Sequence, residues 1–472
     1  MSVAWTKEQQ KVIDLRDRNI LVSAAAGSGK TAVLVERIIS MLTAESDPVD
    51  VDRLLIVTFT EAAAAEMKDR IRTAIEKKLL EQPEDEHLKQ QATLIHNARI
   101  TTIHSFCLSV IKDHFHAIDI DPGFRIGEEG ELKLLCHDVL GEVLEECYEE
   151  GRHRFLDFVS AYGTGRSDKK IEELILKIYE YSRSYPDPDQ WLDSCVDAYG
   201  AETIEDLEHS EYIGNVKRNV RQYLEDAGKL LSRGIEICCE EDGPAVYEGI
   251  LEADLKIIEA LRREDSFAGF GKRVEDISWM RLLPNRDKSV SDEKITQVKA
   301  IRENVKGMVK DLVSQYFYEE PEEMLKEIKN CRPMAEELTT LVKKFAVRFE
   351  EKKRSQNMID FSDMEQYALQ ILTDKTEDGF LPSSIAKEYQ EQFLEIMIDE
   401  YQDSNLIQET ILTSVSTVHE GRYNVFMVGD VKQSIYRFRL SRPELFMEKF
   451  NTYHMEDSKT QRIDLHKNFR SR

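Results

Sequence analysis

The sequence predicts an α/β protein in which a parallel sheet is interrupted by a mostly helical inserted subdomain. Three observations carry this. Short apolar, β-branched runs alternate with helical stretches up to about residue 126 and again from about Asp360. A small-residue loop, Ser23-Ala24-Ala25-Ala26-Gly27-Ser28-Gly29-Lys30-Thr31, separates the first strand from the first long helix. Between about Glu128 and Gln356 the strand signal disappears and charged helical patterns dominate. The chain therefore divides into a discontinuous sheet domain, 1–126 with 357–472, and a helical insertion, 127–356.

The elements follow in order. Asn19 to Val22 is the first strand, and an amphipathic helix runs from about Thr31 to Leu42. Leu54 to Val57 is the second strand. Ala62 to Leu80, rich in Ala, Glu, Lys and Met, is helical. Arg99 to Thr102 is the third strand, and Ser105 to Ala117 the next helix. In the insertion, Glu129 to Glu149, Ile171 to Tyr179 and Met334 to Arg354 read as helices. Breaks fall at Pro186-Asp187-Pro188, Pro284 and Pro321. No period suggests a solenoid. Strands return at Phe393 to Ile398, Val425 to Val428 and Gln461 to Leu465. The chain stops at Arg472, just after a strand and with no helix to cover it, which reads as a piece of a longer protein.

Bulk properties narrow the function. With 472 residues, two or more domains are expected. The formal net charge is −26, so the surface as a whole repels nucleic acid and any such contact must be a local track. The seven cysteines, Cys107, Cys136, Cys147, Cys195, Cys238, Cys239 and Cys331, show no metal spacing. An odd, scattered set fits reduced thiols and a cytoplasmic location. No secretory signal opens the chain, and no apolar run approaches a membrane span, so no membrane partner is expected.

The chemistry sits at strand ends. Small residues from Ala24 to Gly29 let backbone N–H groups approach a polyphosphate at a helix N-terminus, where the dipole favours negative charge. Ala24 stands where the usual motif has Gly. Lys30 would reach the β- and γ-phosphates of ATP, and the Thr31 hydroxyl would hold Mg²⁺. The apolar run Ile396-Met397-Ile398 delivers Asp399 and Glu400 at its tip, the edge where open parallel sheets bind ligands. Asp399 would hold Mg²⁺, and Glu400 would orient and deprotonate the attacking water. Without nucleotide, Lys30 would pair with one of these carboxylates. Gln433, in the segment after the next strand, could sense the γ-phosphate. Tyr436 and Phe438, interleaved with Arg437 and Arg439, suit a single nucleic-acid strand, because stacking tolerates any base and arginine holds the backbone. Phe59 and His104 follow the second and third strands. Phe59 reads as functional. For His104 a structural role and a nucleic-acid contact weigh equally, and Phe106 could be core. Gln9 carries no signal by itself. Arg470 is an arginine-finger candidate only if it faces the nucleotide.

Five ordered blocks resemble the superfamily 1 DNA helicases of the UvrD/RecB group. They are Ser23 to Thr31, Thr58-Phe59-Thr60-Glu61-Ala62-Ala63-Ala64-Ala65-Glu66-Met67-Lys68, Ile398 to Asn405, Val428 to Arg439, and Lys467 to Ser471. The variants in the second and fourth blocks are similar to the helicase–nuclease subunits of AddAB-type recombination complexes. The resemblance implies a RecA-like P-loop NTPase fold, ATP and Mg²⁺ as cofactors, and DNA, both single strands and duplex ends, as substrate. It implies an AddB-like partner and a role in recombinational repair. It gives Gln9 the reading of adenine and Phe469 a stacking place on it. Lys30 and Thr31 would bind phosphate and Mg²⁺, Asp399 and Glu400 the metal and water, and Gln433 and Arg470 would couple to the γ-phosphate. Phe59, His104, Tyr436, Phe438 and Arg439 would line the single-strand path. The second motor domain and the nuclease domain would lie beyond Arg472. Alternatives from other classes are a related helicase without nuclease, a non-hydrolysing DNA-binding protein with a helicase-like fold, and another P-loop enzyme such as a nucleotide kinase. Retention of Lys30, Asp399 and Glu400 argues against the second. The aromatic–arginine segment argues against the third.

Overall fold

Strands from the two ends of the sequence interleave in one sheet. The computed structural model describes residues 5–25, 27–163, 167–287, 289–377, 379–434 and 440–467. Six parallel strands lie in the order Thr460–Leu465, Asn19–Ala24, Val425–Gly429, Glu395–Ile398, Leu54–Thr58 and Arg99–Thr102. Val22 is paired with Ile463 on one side and Val428 on the other. Ile398 is paired with Val57 and Met427. Every link between parallel neighbours must cross over the sheet, which places helices on both faces. Leu21, Leu55, Ile396 and Met427 pack with Phe106 and Ile111 on one face. Ile20, Val22, Ile56 and Phe426 pack with Val33 and Ile38 on the other. This two-sided burial explains why the four inner strands read as near-continuous apolar runs, whereas the edge strands Arg99–Thr102 and Thr460–Leu465 alternate buried and half-buried residues. Each such buried aliphatic side chain is worth about 1.5–3 kcal/mol.

Helix Lys30–Leu42 is tied to the sheet by charge as well as by apolar packing. Arg37 is buried, its Nη2 2.7 Å from Glu395 Oε1 and its Nη1 donating to the Val12 carbonyl at 2.6 Å. The guanidinium lies 4.7 Å from the centre of the Phe426 ring.

The chain leaves and re-enters the sheet region side by side. Arg125–Ile126 pairs in parallel with Met358–Ile359. The Arg125 N–H donates to the Asn357 carbonyl and the Gly127 N–H to that of Ile359, both at 2.9 Å. By packing, one compact unit comprises 1–151, 162–191 and 341–472, and the other 152–161 with 192–340. These units follow packing and not element type. The first keeps the helices Glu129–Glu150 and Lys169–Ser182 beside the sheet. The second is helical, with a core around Val220, Leu231, Leu251, Phe270 and Val305 and a buried Arg302–Asp254 pair at 2.5 Å. No helix among the described residues is long and apolar enough to cross a membrane.

Three elements differ from the expectations. The helix read as Met334 to Arg354 is Pro321–Ser355, and it runs through Pro333. One missing N–H bond does not stop a helix of 35 residues anchored by packing further along it. The helix read from Ser105 starts at Ile103, because Thr102 caps it by accepting from the Ser105 N–H. A hairpin, Thr373–Thr376 with Gly379–Pro382, carries no alternating signal and so escapes the sequence pattern.

Candidate functional site

The strand Asn19–Ala24 delivers the chain into a tight loop at the sheet's C-terminal edge. The Ser28 N–H donates to the Ala25 carbonyl at 3.1 Å. Gly27 and Gly29 have φ of 76° and 84°, a region that side chains disfavour. Gly29 caps helix Lys30–Leu42, so Lys30 and Thr31 stand in its first turn. Ser28 Oγ and Lys30 Nζ are buried and have no hydrogen-bond partner among the described residues. Two buried polar groups left this way cost stability. A loop built to receive an anion would show both. Ala26 lies outside the described residues.

Gln9 supports this loop from behind. It is buried, its Nε2 donating to the Ser28 carbonyl at 3.2 Å and its Oε1 accepting from the Thr6 N–H at 3.0 Å. The second bond belongs to a capping box that starts helix Lys7–Asp14.

The opposite wall comes from the tip of strand Glu395–Ile398. Glu400 takes a left-handed conformation, φ 53°, which is strained for a glutamate. Its Oε2 lies 3.5 Å from Lys30 Nζ. Burial and the charge of Glu400 push Asp399 up to about 6. A carboxyl so placed gains a cation readily. Gln402, fully buried, connects this tip to the next strand. Its Nε2 donates to Glu400 Oε2 at 2.9 Å, and its Oε1 accepts from the Asp430 N–H at 2.9 Å. A Cβ on Gly429 would sit 2.5 Å from Gln402 Oε1, so only glycine allows the approach. Asp430 in turn accepts from Gln433 Nε2 at 2.6 Å. Thr31, Asp399, Glu400 and Gln433 line one cavity of about 380 Å³.

A second cavity, about 480 Å³, opens beside the first and shares Asp399 and Glu400 with it. Phe59, His104 and Phe361 line it. Phe361 is 60% exposed, an unusual state for phenylalanine, and meets the His104 ring edge-on at 5.6 Å. It is held there by a buried charge cluster. Lys353 Nζ lies 2.6 Å from Asp360 Oδ2 and 2.5 Å from Asp363 Oδ2, and Arg183 Nη2 lies 3.0 Å from Asp363 Oδ1. Asp360 caps the helix that begins at Phe361. Phe106, by contrast, is fully buried and belongs to the core.

Residues 5–454 match the UvrD/REP helicase N-terminal domain. The chain belongs to the UvrD/REP helicase N-terminal domain family. Among curated relatives, it is 50% identical to an ATP-dependent helicase/nuclease subunit of Lachnoclostridium phytofermentans, over 99% of this chain and 34% of that protein. It is 43% identical to the proteins of the same description from Bacillus thuringiensis subsp. konkukian and Bacillus anthracis, over 99% of this chain and 38% of each. The chain thus spans little more than a third of the length of these relatives.

In this UvrD/REP domain the expected residues fall into two groups. Gln9, Ala24, Ala25, Gly27, Ser28, Gly29, Lys30, Thr31, Asp399, Glu400 and Gln433 gather at one end of the sheet, and Phe59 and His104 border the adjoining cavity. Tyr436, Phe438, Arg439, Phe469 and Arg470 lie outside the described residues. Gln402 and Phe361 escape a reading of the sequence. For Gln402 the signal is a polar residue in the block after an apolar strand, which only its burial makes meaningful. For Phe361 it is an aromatic directly after a capping aspartate, a position that faces outward.

Proposed function

We propose that this chain is the nucleotide-binding motor half of an ATP-dependent DNA helicase, belonging to the motor-bearing subunit of a helicase–nuclease complex that acts on DNA ends. The observation that carries it is the meeting of Lys30, Thr31, Asp399, Glu400 and Gln433 at one sheet edge from segments at opposite ends of the sequence. The membership in a helicase family and the relatives' names support the same reading.

The donor set fits ATP with Mg²⁺. The Ser28 hydroxyl, which has no hydrogen-bond partner among the described residues, and the Lys30 amine, whose ion pair with Glu400 spans 3.5 Å, suit phosphate oxygens. Thr31 and Asp399 suit the metal, which when bound supplies positive charge against the charge that develops on the transferred phosphoryl group. Glu400 would orient the attacking water and take its proton. Gln402 holds Glu400 Oε2 and so leaves the other oxygen for that proton. Gln433 reaches the same cavity from the turn after the neighbouring strand and would report on the terminal phosphate. Phe59, His104 and Phe361 would border the single-strand path, with Phe361 as a stacking face. Tyr436, Phe438 and Arg439, with Phe469 and Arg470 near the end, keep the roles that the resemblance implies. We assign the nuclease activity in the relatives' names to the part of those proteins that this chain does not match. The AddB-like partner and a cytoplasmic location belong to the same reading.

The test is ATP turnover by the whole protein with and without single-stranded DNA. DNA-stimulated turnover that Lys30→Ala abolishes supports the proposal. Turnover indifferent to DNA would overturn it in favour of another P-loop activity.

A further inference from the structure

Glu365 is a buried carboxylate that the proposed chemistry does not use. It lies on helix Phe361–Leu372, whose start is fixed by the Lys353–Asp360–Asp363 cluster. Among the described residues no lysine or arginine lies within ion-pair distance of it. Its partners come from two other segments. His104 Nε2 lies 3.3 Å from Oε1, and Gln408 Nε2 donates to the same oxygen at 2.7 Å. Asn405 Nδ2 reaches the other oxygen at 3.5 Å. Asn405 and Gln408 are not ordinary neighbours. Together they form the capping box of helix Leu406–Ser414, each bonding the other's backbone N–H, at 2.9 and 3.4 Å. Only Ser404 separates that cap from the short turn Tyr401–Asp403, which begins at Glu400.

One carboxylate thus holds a side chain on the wall of the larger cavity and the cap of the helix behind the Asp399–Glu400 tip. Burying a carboxylate is costly, and one oxygen that accepts from Gln408 and lies 3.3 Å from the His104 ring makes each contact sensitive to the other. A ligand that drew the His104 ring away from Glu365 would change the hold on Gln408. Simple packing needs no such group, since an apolar residue would fill the space at lower cost.

We infer that Glu365 is a positioning residue that couples DNA at His104 to the catalytic turn at Glu400. The inference rests on the proposed function and adds to it the route by which one site would bias the other.

The test uses the whole protein and a single-stranded oligonucleotide. The readouts are basal ATP turnover, DNA-stimulated turnover, the KM for ATP and the Kd for the oligonucleotide. Glu365→Gln keeps the shape and removes the charge. The ratio of stimulated to basal turnover should fall about 2- to 30-fold, while KM for ATP and oligonucleotide Kd move by less than about twofold. Glu365→Gln combined with His104→Ala should lower the ratio no further than the stronger single variant, because both cut one connection. Gln408→Leu, which removes only the donor on the cap side, should lower the ratio in the same way, and it provides the test if Glu365→Gln does not fold. An unchanged ratio in a folded variant, or losses that multiply in the double variant, would overturn the coupling. So would a drop in basal and stimulated turnover by one common factor, which marks a structural residue. In each of these cases the wild type still responds to DNA and the proposed function stands. A wild type that does not respond to DNA removes both.

Discussion

The amine of Lys30 lies 3.5 Å from Oε2 of Glu400. One residue opens the helix after the first strand, and the other follows a strand from the far side of the helical insertion. The amine balances the carboxylate that it would face across a bound phosphate. The same two residues therefore set the charge of the site before and after a nucleotide enters.

Lys30→Ala should remove that balance and the contact to the terminal phosphates together. ATP turnover by the whole protein should fall about 10²- to 10³-fold, the usual cost of one lost charge-stabilising donor. Phosphate release measures this. The far-ultraviolet circular dichroism should not change, because the side chain supports no core packing.

Asp399 carries a pH dependence of definite sign. Its carboxyl is pushed from 3.8 up to about 6, so the folded chain holds this proton more tightly than the unfolded one. Its contribution to stability is intact below about pH 4 and is lost as the pH rises through about 6. Asp399→Asn is neutral throughout. In the absence of Mg²⁺ and nucleotide the variant should melt about 2–4 °C above wild type at pH 7.5 and level with it near pH 4. Asp403, pushed to about 6 by burial and by Glu400, titrates in the same window, so part of the wild-type pH dependence should survive. With Mg²⁺ and ATP added the order should reverse, since only the wild type keeps the metal-binding carboxylate. Differential scanning fluorimetry across pH checks both orders.

Gln9→Ala should loosen the phosphate loop without touching a phosphate. The variant loses the bond to the Ser28 carbonyl and one arm of the capping box at Thr6. About 1 kcal/mol for a net hydrogen bond corresponds to about a fivefold weaker Kd for ATP. Titration with a fluorescent ATP analogue reads it, and an unchanged Kd would exclude the supporting role.

Phe361→Ala should separate stacking from packing. The ring is largely exposed, so the thermal midpoint should hold. Single-strand affinity should fall about 5- to 150-fold, the range for one lost aromatic–base stack. Fluorescence anisotropy with a labelled oligonucleotide measures it. Phe106→Ala should do the opposite, costing about 3–5 kcal/mol of stability as a core cavity.

Arg37→Ala should be among the most destabilising single changes in the sheet domain. It strands the buried Glu395 carboxylate and empties the space over Phe426. Breaking a buried pair from one side costs about 3–5 kcal/mol, which urea denaturation would register.

Much of this architecture is legible in the chain alone, because it rests on local chemistry. Asn19 to Val22 reads as a strand from its own apolar, β-branched residues, and Gly27 and Gly29 mark a loop from their backbone freedom. Asp399 and Glu400 are visible because two adjacent carboxylates follow a short apolar run, Ile396 to Ile398. What the sequence could not specify is which distant groups share a volume. The helix read from Met334 in fact runs through Pro333 from Pro321, because packing along it outweighs one lost hydrogen bond. Gln402 and Glu365 look like ordinary polar residues, since a side chain acquires a role only from what surrounds it. His104 stands evenly between core and contact in the sequence, and the nearby Glu365 and Phe361 place it on a cavity wall. Local order is written in neighbours along the chain. Burial, desolvation and long-range pairing depend on neighbours in space, and only the folded sheet brings those together.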